Sequence, residues 1–255
     1  MLNYLSRDTT SYKLAVEVKK NSKVSFVFLP QGTSNDNFIN RRCKLNVKSD
    51  TTLVETTIGY TLSGAMSTRY RNTINKNIDT YKSDSINILK YVLTTKSDEI
   101  KFEVDTIVVD DFSAFYPYKY KFTASGSYDN ILTNIADSTY TLPLSVLLKH
   151  KTLHYSENDR LLDYIPDYPY TDMFSYYIVF EKPVSVLNKD VLIYNIENKV
   201  GKYQLNIKAI NNTMILITSK YQINLSYIPK EDYGLLIELS KTAEEAKDAT
   251  LLLRY

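Results

Sequence analysis

Residues 226–255 read SYIPKEDYGLLIELSKTAEEAKDATLLLRY, and this stretch decides the fold. Pro229 suits a first helical turn, where a missing N–H costs nothing. Tyr233, Leu236, Ile237 and Ser240 then fall on one face at helical spacing, and KTAEEAK continues with good helix formers. The spacing predicts a helix over 230–247. The closing TLLLRY is short and apolar on successive positions, as in a strand covered on both faces. A helix that covers a sheet and then returns the chain to a sheet is an α+β closure.

Upstream of that ending the pattern is mostly period two. SYKLAVEVKK (11–20) alternates Leu14, Val16 and Val18 with polar neighbours, and RRCKLNVKSD (41–50) does the same with Cys43, Leu45 and Val47. TTLVETTIGYTLSG (51–64), EIKFEVDTIVVDDF, YPYKYKF, TYTLPLSVLL, FSYYIVFE, VLIYNIE and the pair KYQLNIKAI and TMILITSKYQI read as further strands. Asn211-Asn212 tolerates a positive φ and is the expected hairpin turn between that pair. The period shifts between Asn75 and Val92, where Ile78, Tyr81, Ile88, Leu89 and Val92 share a face, so an amphipathic helix is expected near 76–94. SENDRLLDYIPDYPYTD (156–172) holds two prolines, four aspartates and three tyrosines and reads as a linker. The expected fold class is therefore mainly β (α+β): antiparallel, β-sandwich-like sheets with one helix in each half. Two domains are expected, 1–167 and 168–255, the second with the terminal helix and strand.

Composition narrows function more than it names it. The chain has 255 residues, 44% hydrophobic, with 31 Lys+Arg against 29 Asp+Glu. Such a chain can bury a core, and its balanced charge gives no field for nucleic acid. There are 23 tyrosines and no tryptophan, which suits strands with rings inside and hydroxyls at water. The single cysteine, Cys43, rules out an internal disulfide and a cysteine zinc cluster. No run is long and apolar enough for a transmembrane helix, and MLNYLSRDTTSYKL lacks a signal-peptide core.

Chemical constellations are weak. Cys43 with His150 or His154 is a conceivable thiol and base, but Cys43 lies on the apolar phase of a strand, where a thiol acts as a small hydrophobe. HKTLH lacks the glutamate of the zinc-protease helix. Asp110 and Asp111 point to opposite faces of a strand, and with Asp105 they read as a strand-to-loop signal. YPYKYKF has the aromatic–basic interleaving of a single-strand nucleic-acid platform, a pattern that any half-buried strand also shows. No catalytic residue, metal site or cofactor is expected.

The segment 170–255 resembles the small β-rich domain that ends many bacterial exported transglutaminase-like proteins. The likeness is carried by SYYIVFEKPVSVLN, GKYQLNIKAINNTMILITSKYQI and YIPKEDYGLLIELSKTAEEAKDATLLL, with Ile228, Pro229, Asp232 and Tyr233 at the helix start. Upstream, IGYTLSGAMSTRYRN is similar as well, through Gly59, Gly64, Ser67, Arg69 and Arg71. That family's catalytic domain has a Cys-His-Asp triad, and Cys43 lies in no matching motif. The resemblance implies a non-enzymatic accessory or interaction module, in the periplasm or cell envelope, with a protein or peptide partner. The alternative is a β-sandwich that binds a glycan or peptide through exposed tyrosines, for which Tyr164, Tyr168 and Tyr170 are the candidate binding residues.

Overall fold

A computed structural model of the chain describes residues 14–18, 24–28, 32–48, 53–68, 102–112, 119–150, 152 and 162–255. The helix expected near 76–94, His154 and Tyr118 lie outside the described residues. In chain order the strands are β1 (Leu14–Val18), β2 (Val24–Phe28), β3 (Phe38–Val47), β4 (Val54–Leu62), β5 (Phe102–Phe112), β6 (Tyr120–Tyr128), β7 (Thr133–Ala136) and β8 (Thr139–Pro143). They continue as β9 (Tyr170–Phe180), β10 (Ser185–Val186), β11 (Tyr194–Glu197), β12 (Gly201–Asn211), β13 (Met214–Ile223) and β14 (Thr250–Arg254). An α-helix, α1 (Tyr233–Asp248), precedes β14.

The strands form an eight-stranded sheet in the order β11-β12-β13-β9-β3-β4-β6-β5, a four-stranded sheet in the order β10-β14-β8-β7, and the pair β1-β2. The mainly β, sandwich-like architecture is as the alternation predicts. One pairing departs from antiparallel: β3 runs parallel to β9, from Phe38 opposite Thr171 to Val47 opposite Phe180. Parallel neighbours need a long connection between them, and everything from β4 to β8 intervenes.

That pairing bears on the boundary expected near Tyr168. Main-chain bonds of the large sheet run directly from β3 to β9, and β14 at the chain end pairs with β8, Thr139 opposite Arg254. The segment before β9 is itself fastened: Tyr164 bridges Ile228, and Asn37 Nδ2 donates to the Pro169 carbonyl at 3.0 Å.

Period-two burial sets the core. On β9 the even positions from Tyr170 to Phe180 face inward, and on β13 the odd positions from Ile215 to Ile223 do. Register places Ser219 beside Phe174, Phe174 beside Arg41, and Arg41 beside Tyr60 across four adjacent strands. The next row carries Tyr203, Tyr221, Asp172 and Ile39. Fully buried tyrosines dominate this face, among them Tyr120, Tyr128, Tyr170, Tyr176, Tyr203 and Tyr221.

The ending differs in detail from its sequence reading. A short 3-10 turn, Lys230–Asp232, precedes α1, so the α-helix starts three residues later than expected. Pro229 caps that turn, and Asp163 from the preceding segment accepts the Lys230 N–H at 2.9 Å. The helix buries Tyr233, Leu236, Leu239, Ser240, Ala243 and Ala246. β14 is an inner strand of the small sheet, with Leu251 and Leu253 buried and Leu252 half-buried. Its partner β8 comes from before residue 168, not from the second half alone. The hairpin turn falls on Asn212-Thr213, and Asn211 Oδ1 accepts the Thr213 N–H at 2.9 Å, an Asx turn with no positive φ. Asp105, Asp110 and Asp111 lie inside β5, which continues to Phe112 through irregular register at Asp105 and Asp110. Asp105 and Asp110 mark bulges, and Asp111 pairs with Lys121 inside the strand.

Candidate functional site

The inward phase of the large sheet contains polar residues where the pattern calls for apolar ones, among them Arg41 on β3, Asp172 on β9 and Ser219 on β13. The chain from Leu147 to His150 lies over them. The Tyr176 hydroxyl donates to the Leu147 carbonyl, and the His150 ring stacks on Phe174 with centroids 4.4 Å apart and planes 4° from parallel. Tyr203 meets the same imidazole edge-on at 5.8 Å.

His150 Nε2 lies 2.7 Å from Ser219 Oγ, and Ser219 Oγ lies 3.3 Å from the Tyr203 hydroxyl. Asp172 Oδ2 stands 4.0 Å from His150 Nδ1, beyond hydrogen-bond reach. The residue types are those of a hydrolytic triad, yet their setting works against that chemistry. Ser219 is 3% exposed and the Asp172 side chain 1%. Burial lowers the His150 pKa to about 3, so the imidazole is neutral at neutral pH and protonating it is costly. A general base must take a proton readily; this one resists. The arrangement orients and packs the imidazole.

Cys43 sits two residues from Arg41 on the same inward phase, 1% exposed. Burial pushes its thiol up to about 12, with the Arg41 charge pulling the other way. His150 takes Ser219 as its hydrogen-bond partner, and the structure brings no imidazole–thiol pair together among the described residues. Arg41 is 4% exposed. Its Nη2 donates to the Tyr128 hydroxyl at 3.0 Å, and its guanidinium lies 5.6 Å from the Tyr60 ring centre and 5.4 Å from that of Tyr176.

The three tyrosines expected at a binding surface lie together at one end of the sheet, but not as an open platform. Tyr170 is buried, its ring 6.1 Å from Tyr221. Tyr168 is half-buried, tilted 71° to Tyr170, and its hydroxyl reaches Met66 Sδ at 3.3 Å. Tyr164 is half-buried against Tyr233 at 5.8 Å. The exposure expected of this set is not found, because Tyr170 falls on the inward phase of β9 and the other two pack where that strand begins.

Exposed apolar side chains gather elsewhere. Leu187, Val191 and Ile193 are 43%, 73% and 59% exposed. They lie on the connection from β10 to β11, which joins an edge strand of the small sheet to an edge strand of the large one. Ile135, on the opposite edge strand β7, is also exposed.

Sequence reading singled out His150 and Cys43 and missed Arg41, Asp172 and Ser219. Their signal is present: each is a polar residue on the apolar phase of an alternating strand, as in Ile39-Arg41-Cys43-Leu45 and Tyr170-Asp172-Phe174-Tyr176.

Residues 137–253 match the family model of a domain of unknown function with solved-structure structure, DUF3858. Its description makes no mention of transglutaminase-like proteins. The match opens in the turn before β8 and closes in β14, two strands that pair with each other, so the matched unit takes in β8 and the segment before β9 as well as everything after. No curated protein and no solved structure matches the chain.

Proposed function

We propose that the chain is a non-enzymatic accessory module that docks on another protein through the edge formed by Leu187, Val191 and Ile193. The observation behind this reading is that three large apolar side chains are 43%, 73% and 59% exposed within seven residues, between two sheet edges. Scattered exposed apolar residues are ordinary, whereas three within seven residues beside edge strands suit a docking surface. The closed environment of His150 and Ser219 also favours a non-catalytic role. The resemblance to the terminal domains of exported transglutaminase-like proteins supplies the proposed partner, a catalytic domain of that kind, and the proposed place, the periplasm or cell envelope.

Hydrogen exchange of the whole chain, alone and with a purified transglutaminase-like domain, tests the reading. Protection is expected across residues 184–197, and Val191→Glu with Ile193→Glu should abolish it without lowering Tm. Protection elsewhere, or hydrolysis of model esters or amides that disappears in Ser219→Ala, would overturn it.

A further inference from the structure

Among the described residues Arg41 has no counter-charge. Its residue is 4% exposed, its Nε has no hydrogen-bond partner, and it makes no ion pair among the described residues. Buried guanidinium groups are ordinarily matched by a carboxylate, because removing the charge from water is otherwise unfavourable. Tyr60, Tyr176 and Tyr128 give it ring faces and one hydroxyl. Those groups stabilise a cation but carry no negative charge at neutral pH.

A second cation is built in beside it. The backbone from Leu147 to His150 is pinned at both ends over the Arg41 row. At one end the Tyr176 hydroxyl holds the Leu147 carbonyl, and that same Tyr176 ring flanks Arg41. At the other end His150 stacks on Phe174, the residue directly opposite Arg41 on β9. Lys149 lies between these two pins. It makes no ion pair among the described residues. Burial, and then the Arg41 charge, lower its amine's pKa to about 8. Two neighbouring cations repel one another, more strongly where water is scarce.

We propose that Arg41 and Lys149 form the binding site for a small oxyanion, a carboxylate or a phosphoryl group, held at the unpartnered Nε edge of the guanidinium. Arg41 supplies a fixed planar donor from inside the sheet, and Lys149, exposed as a residue although its amine is partly withdrawn from water, supplies a second charge from the 147–150 segment. The anion removes the repulsion between the two and satisfies the buried Nε–H. This inference stands apart from the docking surface, which lies on different strands.

Isothermal titration of the whole chain with inorganic phosphate, and separately with acetate, at constant ionic strength set by chloride, tests the site. Saturable binding of one anion per chain is expected for at least one of the two, and the tighter anion identifies the chemistry. Lys149→Met should weaken that binding about tenfold, as loss of one charge-assisted bond implies, and Arg41→Gln should abolish it. Because Arg41 is buried and its variant can fail to fold, the exposed Lys149 carries the decision. Absence of saturable binding for both anions, or unchanged affinity in Lys149→Met, overturns the proposal.

Discussion

His150 lies flat on Phe174, ring centres 4.4 Å apart, while its Nε2 meets Ser219 Oγ at 2.7 Å. The imidazole is thus enclosed on an aromatic face with one polar contact. Burial lowers its pKa from 6.5 to about 3, and the Asp172 carboxylate, 4.0 Å from Nδ1, does not offset this. Between those two values the unfolded chain binds a proton that the folded chain excludes. The contribution is therefore complete above the unfolded value and is lost as pH falls toward the folded one. The slope approaches ~1.4 kcal/mol per pH unit within that window. Urea melts between pH 7 and pH 5, above most carboxylate titrations, should show a falling midpoint, and His150→Phe should flatten the dependence. An equal slope in the variant would assign the acid sensitivity to other groups.

Two glycines should respond oppositely to alanine. Gly201 opens β12 opposite Ile223, and a Cβ there would collide with the Gln222 carbonyl and stand 2.9 Å from Leu239 Cδ2. The strand pairing and the α1 contact would both have to shift, so Gly201→Ala should destabilise by about 3 kcal/mol. Gly234, in the first turn of α1, has nothing within 4 Å of its would-be Cβ. Gly234→Ala should stabilise by about 0.5–1 kcal/mol through helix propensity and unfolded-state entropy. Chemical denaturation of the two variants beside the parent settles both signs.

The contrast between these two positions reflects what sequence patterns can carry. Alternation on β3, β9 and β13 is a local property, so strand identity and the inward phase are visible from residues two apart. The pairing of β3 with β9, and of β14 with β8, depends on contacts between segments more than 100 residues apart in sequence, and no local period encodes them. For that reason a proline-rich stretch before β9 read as a boundary, although strands on either side of it share one sheet. The polar cluster is legible in hindsight as phase violations at Arg41, Asp172 and Ser219. Which of those violations meet, and that His150 stacks over them, follows only from register and from the course of residues 147–150.

Cys43 offers a check on how closed that face is. It is 1% exposed beside Arg41, and burial holds its thiol near a pKa of 12. Thiolate is the reactive form, so a disulfide reagent at pH 8 should label Cys43 only as fast as the sheet opens, and at once in denaturant. Cys43→Ser should cost about 1–3 kcal/mol by placing a hydroxyl among apolar neighbours. Fast labelling of the folded chain would show an open face and would reinstate Cys43 as a candidate nucleophile.

The end of the chain holds the two halves together. β14 lies between β10 and β8, with Leu251 opposite Leu142 and Leu253 opposite Tyr140. Leu251 and Leu253 are buried, and Tyr255 meets Tyr140 at 4.8 Å and Phe180, on the large sheet, at 5.5 Å. Leu251→Ala and Leu253→Ala should each cost roughly 2–5 kcal/mol. A domain of this kind has only about 5–15 kcal/mol of stability. Deleting residues 250–255 removes both leucines, the pairing with β8 and β10, and the aromatic contacts of Tyr255 together. Loss of β14 also bares the edge of β8, which lies before residue 168, so the damage should not stop at the second half. The truncated chain should lose its cooperative thermal transition and expose aggregation-prone strand edges. Circular dichroism and a single-transition melt check this. Native-like strand signal with a cooperative melt would show that the small sheet closes without its terminal strand.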